Sequence, residues 1–158
     1  MIHINKSQNA DSRTSGGAVA KEQLLTSSQS HIGDVIKGMD FFAHMMMNAG
    51  AIHDNTKISG INEFHHDFVN LKPGAEFKAG KWWKQHAQER HHLNDFCPRD
   101  VNLVDVIEML VDCVMAGMAR SGTLYEITVP DEVLKEAVQN TVNLLREQVV
   151  VLKDGEQE

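Results

Sequence analysis

The chain is short of several things, and each shortage narrows what it can be. Two of its 158 residues are cysteine, Cys97 and Cys113, with no CxxC spacing, so neither a disulfide scaffold nor a thiolate zinc site is expected. No apolar run approaches the roughly 18 to 20 residues of a helical membrane span. The opening stretch MIHINKSQNADSRTSGG has no apolar centre of the kind a secretory signal needs. A cytoplasmic protein with reduced thiols and no membrane contact is expected. Basic residues are also few, 15 Lys and Arg against 22 Asp and Glu, for a formal charge of −7. That balance argues against non-specific nucleic-acid binding, which needs a cationic surface. It is equally awkward for handling phosphates unless a metal ion supplies the positive charge. There are no repeats and no low-complexity tract, and the length suits a single domain.

Histidine, by contrast, is plentiful. Nine occur, and six of them (His53, His65, His66, His86, His91 and His92) fall within 40 residues. Imidazoles clustered with carboxylates are the composition of a metal site. Residues 1–20 read as an arm or loop. From about Lys21 to Asn48 a helical pattern places Leu24, Ser28, His31, Val35, Phe42 and Met45 on one inner face. NAGA (48–51) predicts a break, INEFHHDFVN a short helix, and LKPGAEF a turn at Pro73-Gly74. KAGKWWKQHAQERHHLNDF predicts a helix ending near His91-His92, and Asp100 is the predicted N-cap of the next one.

That next helix, Val101 to about Arg120, is apolar almost all round, with Leu103, Val104, Ile107, Leu110, Val111, Val114 and Met118 on its broad face. Such a helix is expected to be central and buried. Its acids Asp105, Glu108 and Asp112 share one narrow wedge, which must then face water, cations or a metal. A carboxylate buried there costs several kcal/mol unless paired or metal-bound. SGTLYEITV reads as a connector that has room for a short strand. Pro130-Asp131 opens a final amphipathic helix expected to reach Leu152, and its apolar stripe suits a homodimer. The whole reads as all-α.

Three carriers line up along the chain: His31 on the first helix, His53-Asp54 after it, and Asp112 on the central helix. This H…HD…D order resembles the HD-domain metal-dependent phosphohydrolase superfamily. The stretches HDNTKIS, EFHHDF, WWKQHAQERHHLNDF and VIEMLVDCVMAG are similar to short HD-like proteins of bacteriophages and bacteria. The resemblance covers about residues 31 to 119. It implies an HD-domain-like helical bundle over residues 21–158 in which His31, His53, Asp54 and Asp112 hold a divalent transition metal (Mn, Fe, Co, Ni or Zn). It further implies that His86 and His91 or His92 complete a second metal site, and that Lys57 contacts a phosphate. The implied activity is hydrolysis of a phosphoester, of a nucleotide or deoxynucleotide, by a metal-activated water, with Glu108 or a nearby histidine such as His92 moving a proton.

Two other classes are open: a di-iron HD-fold oxygenase, and a non-catalytic, metal-containing interaction protein. Plainer readings stand beside each residue. His86, His91 and His92 also suit a helix C-terminus, where imidazolium meets the negative dipole end. His65 and His66 suit the surface, Trp82-Trp83 packing, and Met45-Met46-Met47 a core or subunit interface. Arg13, Lys81, Lys84, Arg90 and Arg120 are candidate phosphate or base contacts on charge alone.

Overall fold

A computed structural model describes residues 1–6, 19–124 and 126–152. Among these, six α-helices and two short strands occur: β1 (Ile2–Asn5), α1 (Lys21–Ile52), α2 (Asn55–Ser59), α3 (Ile61–Val69), α4 (Lys81–His86), α5 (Leu103–Ser121), α6 (Asp131–Gln148) and β2 (Val149–Leu152). The chain is mainly all-α, as its periodicity predicts. No described helix is long and apolar enough to cross a membrane. The chain divides into two compact units, Met1–His44 with Val142–Glu158, and Met45–Thr141.

The first unit holds most of α1, the end of α6 and the strand pair. β1 and β2 run parallel, in register from Ile2↔Val149 to Asn5↔Leu152. The predicted last helix therefore stops short, at Gln148, because the β-branched run Val149-Val150-Val151 favours extended backbone. Of the predicted arm, residues 2–5 are strand, and Arg13 lies outside the described residues. Lys37 Nζ donates to the His3 carbonyl at 2.6 Å. α1 buries none of its residues, so its predicted inner face is not an inner face, and His31 is exposed.

The second unit carries a conventional core of Leu93, Val101, Val106, Met109 and Ala137, with Cys97 and Cys113 at its edge. α5 is its backbone. The Asn102 side chain accepts from Val104 N at 2.9 Å, and Asp105 Oδ2 accepts from Asn102 N at 2.8 Å, a reciprocal cap. The cap is thus Asn102, two residues past the predicted Asp100, which is drawn away to Arg90. α5 is also less enclosed than its composition predicts. Val104, Asp105, Val106, Met109 and Gly117 are buried, but Ile107, Leu110, Val111, Val114 and Met118 are exposed. The helix buries one stripe and leaves an apolar flank open. α6 docks through Ala137 in this core and through polar groups: Thr141 Oγ1 accepts from Leu103 N at 2.8 Å, and Asn140 Nδ2 donates to the Val101 carbonyl at 2.9 Å. No described residue of SGTLYEITV is in a strand.

Candidate metal centre

α1 does not break at Asn48–Ala51 but runs on to Ile52, and His53-Asp54 forms the corner before α2. Asp54 adopts φ 55° and ψ 23°, the one non-glycine residue at positive φ among those described. Left-handed backbone ends a helix, and aspartate tolerates it better than most residues.

The helix predicted to end near His91-His92 is confined to α4, ending at His86, after which the chain descends through successive turns. The side chains explain why. Glu89 reaches Thr56, Arg90 reaches Asp105 and Asp100, His91 reaches Glu108, and His92 reaches His86. A helix would fan these four side chains over about 300° of its circumference, whereas the turns let all four reach partners within the same unit.

An aromatic wall fixes His86, which is fully buried. Trp82 stacks on Phe64 at 4.0 Å and on His86 at 4.5 Å between ring centroids, and its indole N–H donates to the Thr56 carbonyl at 3.3 Å. Trp82 N donates to Asp67 Oδ2 at 2.8 Å. Two glycines make room: a Cβ on Gly60 would lie 2.8 Å from Thr56 O, and one on Gly80 2.9 Å from Asp67 Oδ2.

The imidazole tautomers follow from their partners. A carboxylate only accepts, so the contacts of Glu108 Oε1 with His53 Nδ1 at 2.9 Å and His91 Nδ1 at 3.2 Å are both N–H donations to it. Glu89 Oε1 takes the backbone N–H of Thr56 at 2.8 Å and also its hydroxyl proton. With that proton committed, His86 Nδ1 donates to Thr56 Oγ1 at 2.7 Å. Three rings are therefore held by Nδ1–H, and all three turn Nε2 towards Asp54. The separations to the Asp54 carboxylate are 3.5 Å from His53, 3.4 Å from His86 and 3.7 Å from His91. Asp112 Oδ1 is 3.5 Å from His53 Nε2. The facing Nε2 atoms of His86 and His92, 3.0 Å apart, need one proton or one cation between them.

Electrostatics follow from this packing. Burial, aided by the Lys57 charge, lowers the pKa of His86, and burial beside His91 and His86 pushes His92 down to about 4, so both are neutral at pH 7. Burial also opposes charge on His91, but the Glu108 hydrogen bond and the nearby carboxylates outweigh it and raise its pKa. Burial raises Asp54 and Glu108, yet Lys57 for the first and His91 with His53 for the second win, and both end below the usual carboxylate value.

Three groupings have their ligand atoms close enough to hold one ion: His53, His91 and Asp112; Asp54, His91 and His92; Asp54, His86 and Glu89. Asp54 Oδ1 and His91 Nε2 are buried with no hydrogen-bond partner among the described residues. Donors bonded to one ion at about 2.1 Å sit roughly 3 to 3.4 Å apart in octahedral or tetrahedral arrangements, close to the spacings around Asp54. Neutral imidazole nitrogens with carboxylate oxygens, Nδ1–H held by a carboxylate, are the donor set and outer shell of transition-metal sites. The residues fit such an ion.

Of the residues singled out from sequence, His53, Asp54, Asp112, His86, His91, His92, Glu108 and Lys57 are gathered here, with Lys57 Nζ donating to Asp54 Oδ2. His31 is not among them. It lies in the other unit, roughly six turns of the same unbroken helix before His53. His65 and His66 are exposed. Sequence reasoning missed Thr56 and Glu89, for which the HxxE spacing from His86 to Glu89 was the available signal.

Two cavities adjoin the cluster, one of about 530 Å3 and one of about 580 Å3, and Glu108 lines both. Comparison with protein-family models, with curated proteins and with solved structures gives no match for this chain.

Proposed function

We propose that this chain is a metal-dependent phosphohydrolase of the HD type. One observation carries the reading: three imidazoles held through Nδ1 turn their Nε2 atoms towards one half-buried carboxylate, and two of the facing atoms, Asp54 Oδ1 and His91 Nε2, are buried with no hydrogen-bond partner among the described residues. An unpaired buried polar atom is costly, and a divalent ion relieves both at once. His53, Asp54, His91 and Asp112 would hold one ion, with His86, Glu89 and His92 disposed for a second. When bound, such an ion supplies an activated water and positive charge to offset a phosphate.

The chain's own groups have distinct tasks. Glu108 receives both Nδ1 protons and so orients His53 and His91, a positioning role in place of the proton transfer that the resemblance suggests. Lys57, beside Asp54, brings the cation nearest the centre, and it suits a phosphate oxygen. His92, neutral at pH 7, offers a lone pair more readily than a proton. The phosphoester as substrate rests on the HD resemblance.

A di-iron oxygenase is the second reading, favoured by the number of imidazoles gathered with carboxylates, a donor set that iron also takes. One experiment separates them. Elemental analysis of native protein and of His53→Ala, both purified without added metal, should find about one or more equivalents in the first and a loss in the second. Phosphatase activity restored by Mn or Co supports the hydrolase, and iron with visible absorption supports the oxygenase. Negligible metal in both, unchanged by refilling with Mn or Co, overturns both.

A further inference from the structure

The cavity of about 530 Å3 has two chemically different parts. Its polar end is His53, Glu108 and Asp112, the groups assigned above to the metal centre. Its walls are Met46, Val104, Ile107, Val111 and Met115, and none of the described residues lining it is Lys or Arg. The volume is that of a small-molecule site. The second cavity is lined instead by Asn48, Asn55, Gln88, Arg90 and Asn102 among others, and the groups able to pair with polar edges are there.

We infer that the substrate of the proposed metal centre carries an uncharged apolar group, of aryl or short alkyl kind, beside its reacting phosphoester, and that this group lodges against Val111 and Met115. The inference rests on the phosphohydrolase reading for the reacting group and on the cavity for the rest. A nucleoside in this cavity would leave its sugar hydroxyls and base edges against methyl and thioether groups, forfeiting hydrogen bonds made in water. A second anionic group would face Glu108 and Asp112 with no cation from the walls. An apolar group meets neither penalty and gains roughly tenfold in affinity for each ~55 Å2 it removes from water. The two unbranched thioethers suit a hydrocarbon of irregular outline.

Methyl-labelled methionine NMR tests this directly, because Met46 and Met115 line this cavity and Met45 lines the other. Met39, Met47 and Met118, exposed as Met46 and Met115 also are but lining neither cavity, report non-specific binding. Titrating 2-naphthol into metal-free protein should shift Met46 and Met115 and leave Met45 in place. Val111→Asn, at an exposed position that should not disturb folding, should weaken that binding at least about fivefold. With zinc present, 2-naphthyl phosphate should bind at least tenfold more tightly than methyl phosphate or adenosine monophosphate. Shifts at Met45, uniform shifts at all methionines, or no preference for the naphthyl ester would overturn the inference while leaving a metal-binding hydrolase intact. Failure to bind metal, with the Met46 and Met115 shifts preserved, would overturn the hydrolase and keep the cavity's preference.

Discussion

Arg90 and His91 are adjacent in the chain, and each reaches a carboxylate on α5, Asp105 and Glu108, that lie about one turn apart. The two networks are built differently. Around Arg90 everything is satisfied: Nε and Nη2 grip Asp105 at 2.7 and 2.8 Å, Nη1 meets the Asp100 carboxylate at 3.0 Å, and Asp105 also caps α5. Around His91 the Nδ1 side is equally well served, but Nε2 and the Asp54 Oδ1 it faces are left without partners. A buried charge or polar group is tolerated when every partner is in place and is expensive when one is missing. The closed network is architecture, and the open one is where the proposed ion would bind.

Mutation should separate them. The largest effect is expected from Asp54→Ala, which removes a ligand atom from two of the three groupings. It should abolish metal retention by elemental analysis. It should also remove the roughly 2.7 kcal/mol of stabilisation that metal at a hundred times its Kd gives the native chain. Arg90→Met should do the reverse: metal content unchanged, and a stability loss in urea of about 2 kcal/mol. That figure is reduced from the usual cost of a broken buried pair because the Arg90 side chain is 43% exposed. If Arg90→Met instead emptied the site, the two networks would be one. Glu108→Gln should weaken metal binding about 10- to 100-fold without unfolding the chain, as losing the partner of an imidazole N–H does elsewhere. Thr56→Val, which cuts the link from Glu89 to His86, should cost less, about fivefold to tenfold by metal titration.

The smallest effect concerns the aromatic wall. Asp67 is held below its ordinary pKa chiefly by the Trp82 N–H, with His66 adding to it. A depressed carboxylate contributes stability above its unfolded pKa of about 3.9, and that contribution fades as pH falls through the folded value. The melting temperature of Asp67→Ala should therefore fall below that of the native chain at pH 7, and the gap should narrow steadily as pH falls below about 3.9. A gap that does not narrow with acid would mean that Asp67 acts by packing and not by charge.

Much of this was legible in the chain and some was not, for identifiable reasons. Helical periodicity located α3, α5 and α6, and the acidic wedge of α5 pointed to Asp105, Glu108 and Asp112, each of which meets a cation or an imidazole. The order of His53-Asp54, the later histidines and Asp112 marked most of the cluster. His31 was drawn in because its apolar neighbours suggested an inward face, and periodicity cannot tell a buried stripe from one left exposed. Asn48–Ala51 looked like a break because glycine and asparagine disfavour helix by under about 1 kcal/mol each, too little to stop a 32-residue helix. Thr56 and Glu89 escaped notice because a turn, and not a helix face, brings them together. The strand pair joins residues 2–5 to residues 149–152, a separation at which no local pattern speaks.

The backbone of Asp54 restricts what can stand there more tightly than the proposed ligation alone. Glycine, asparagine and aspartate are the residues that enter left-handed conformation with least strain. Of the three, aspartate alone is an anion. Glutamate keeps the charge but resists the corner, and asparagine keeps the corner but gives up the charge. Position 54 is thus specified twice over, once by geometry and once by electrostatics, and a library that randomised it should return a single amino acid from any selection that demands a filled site.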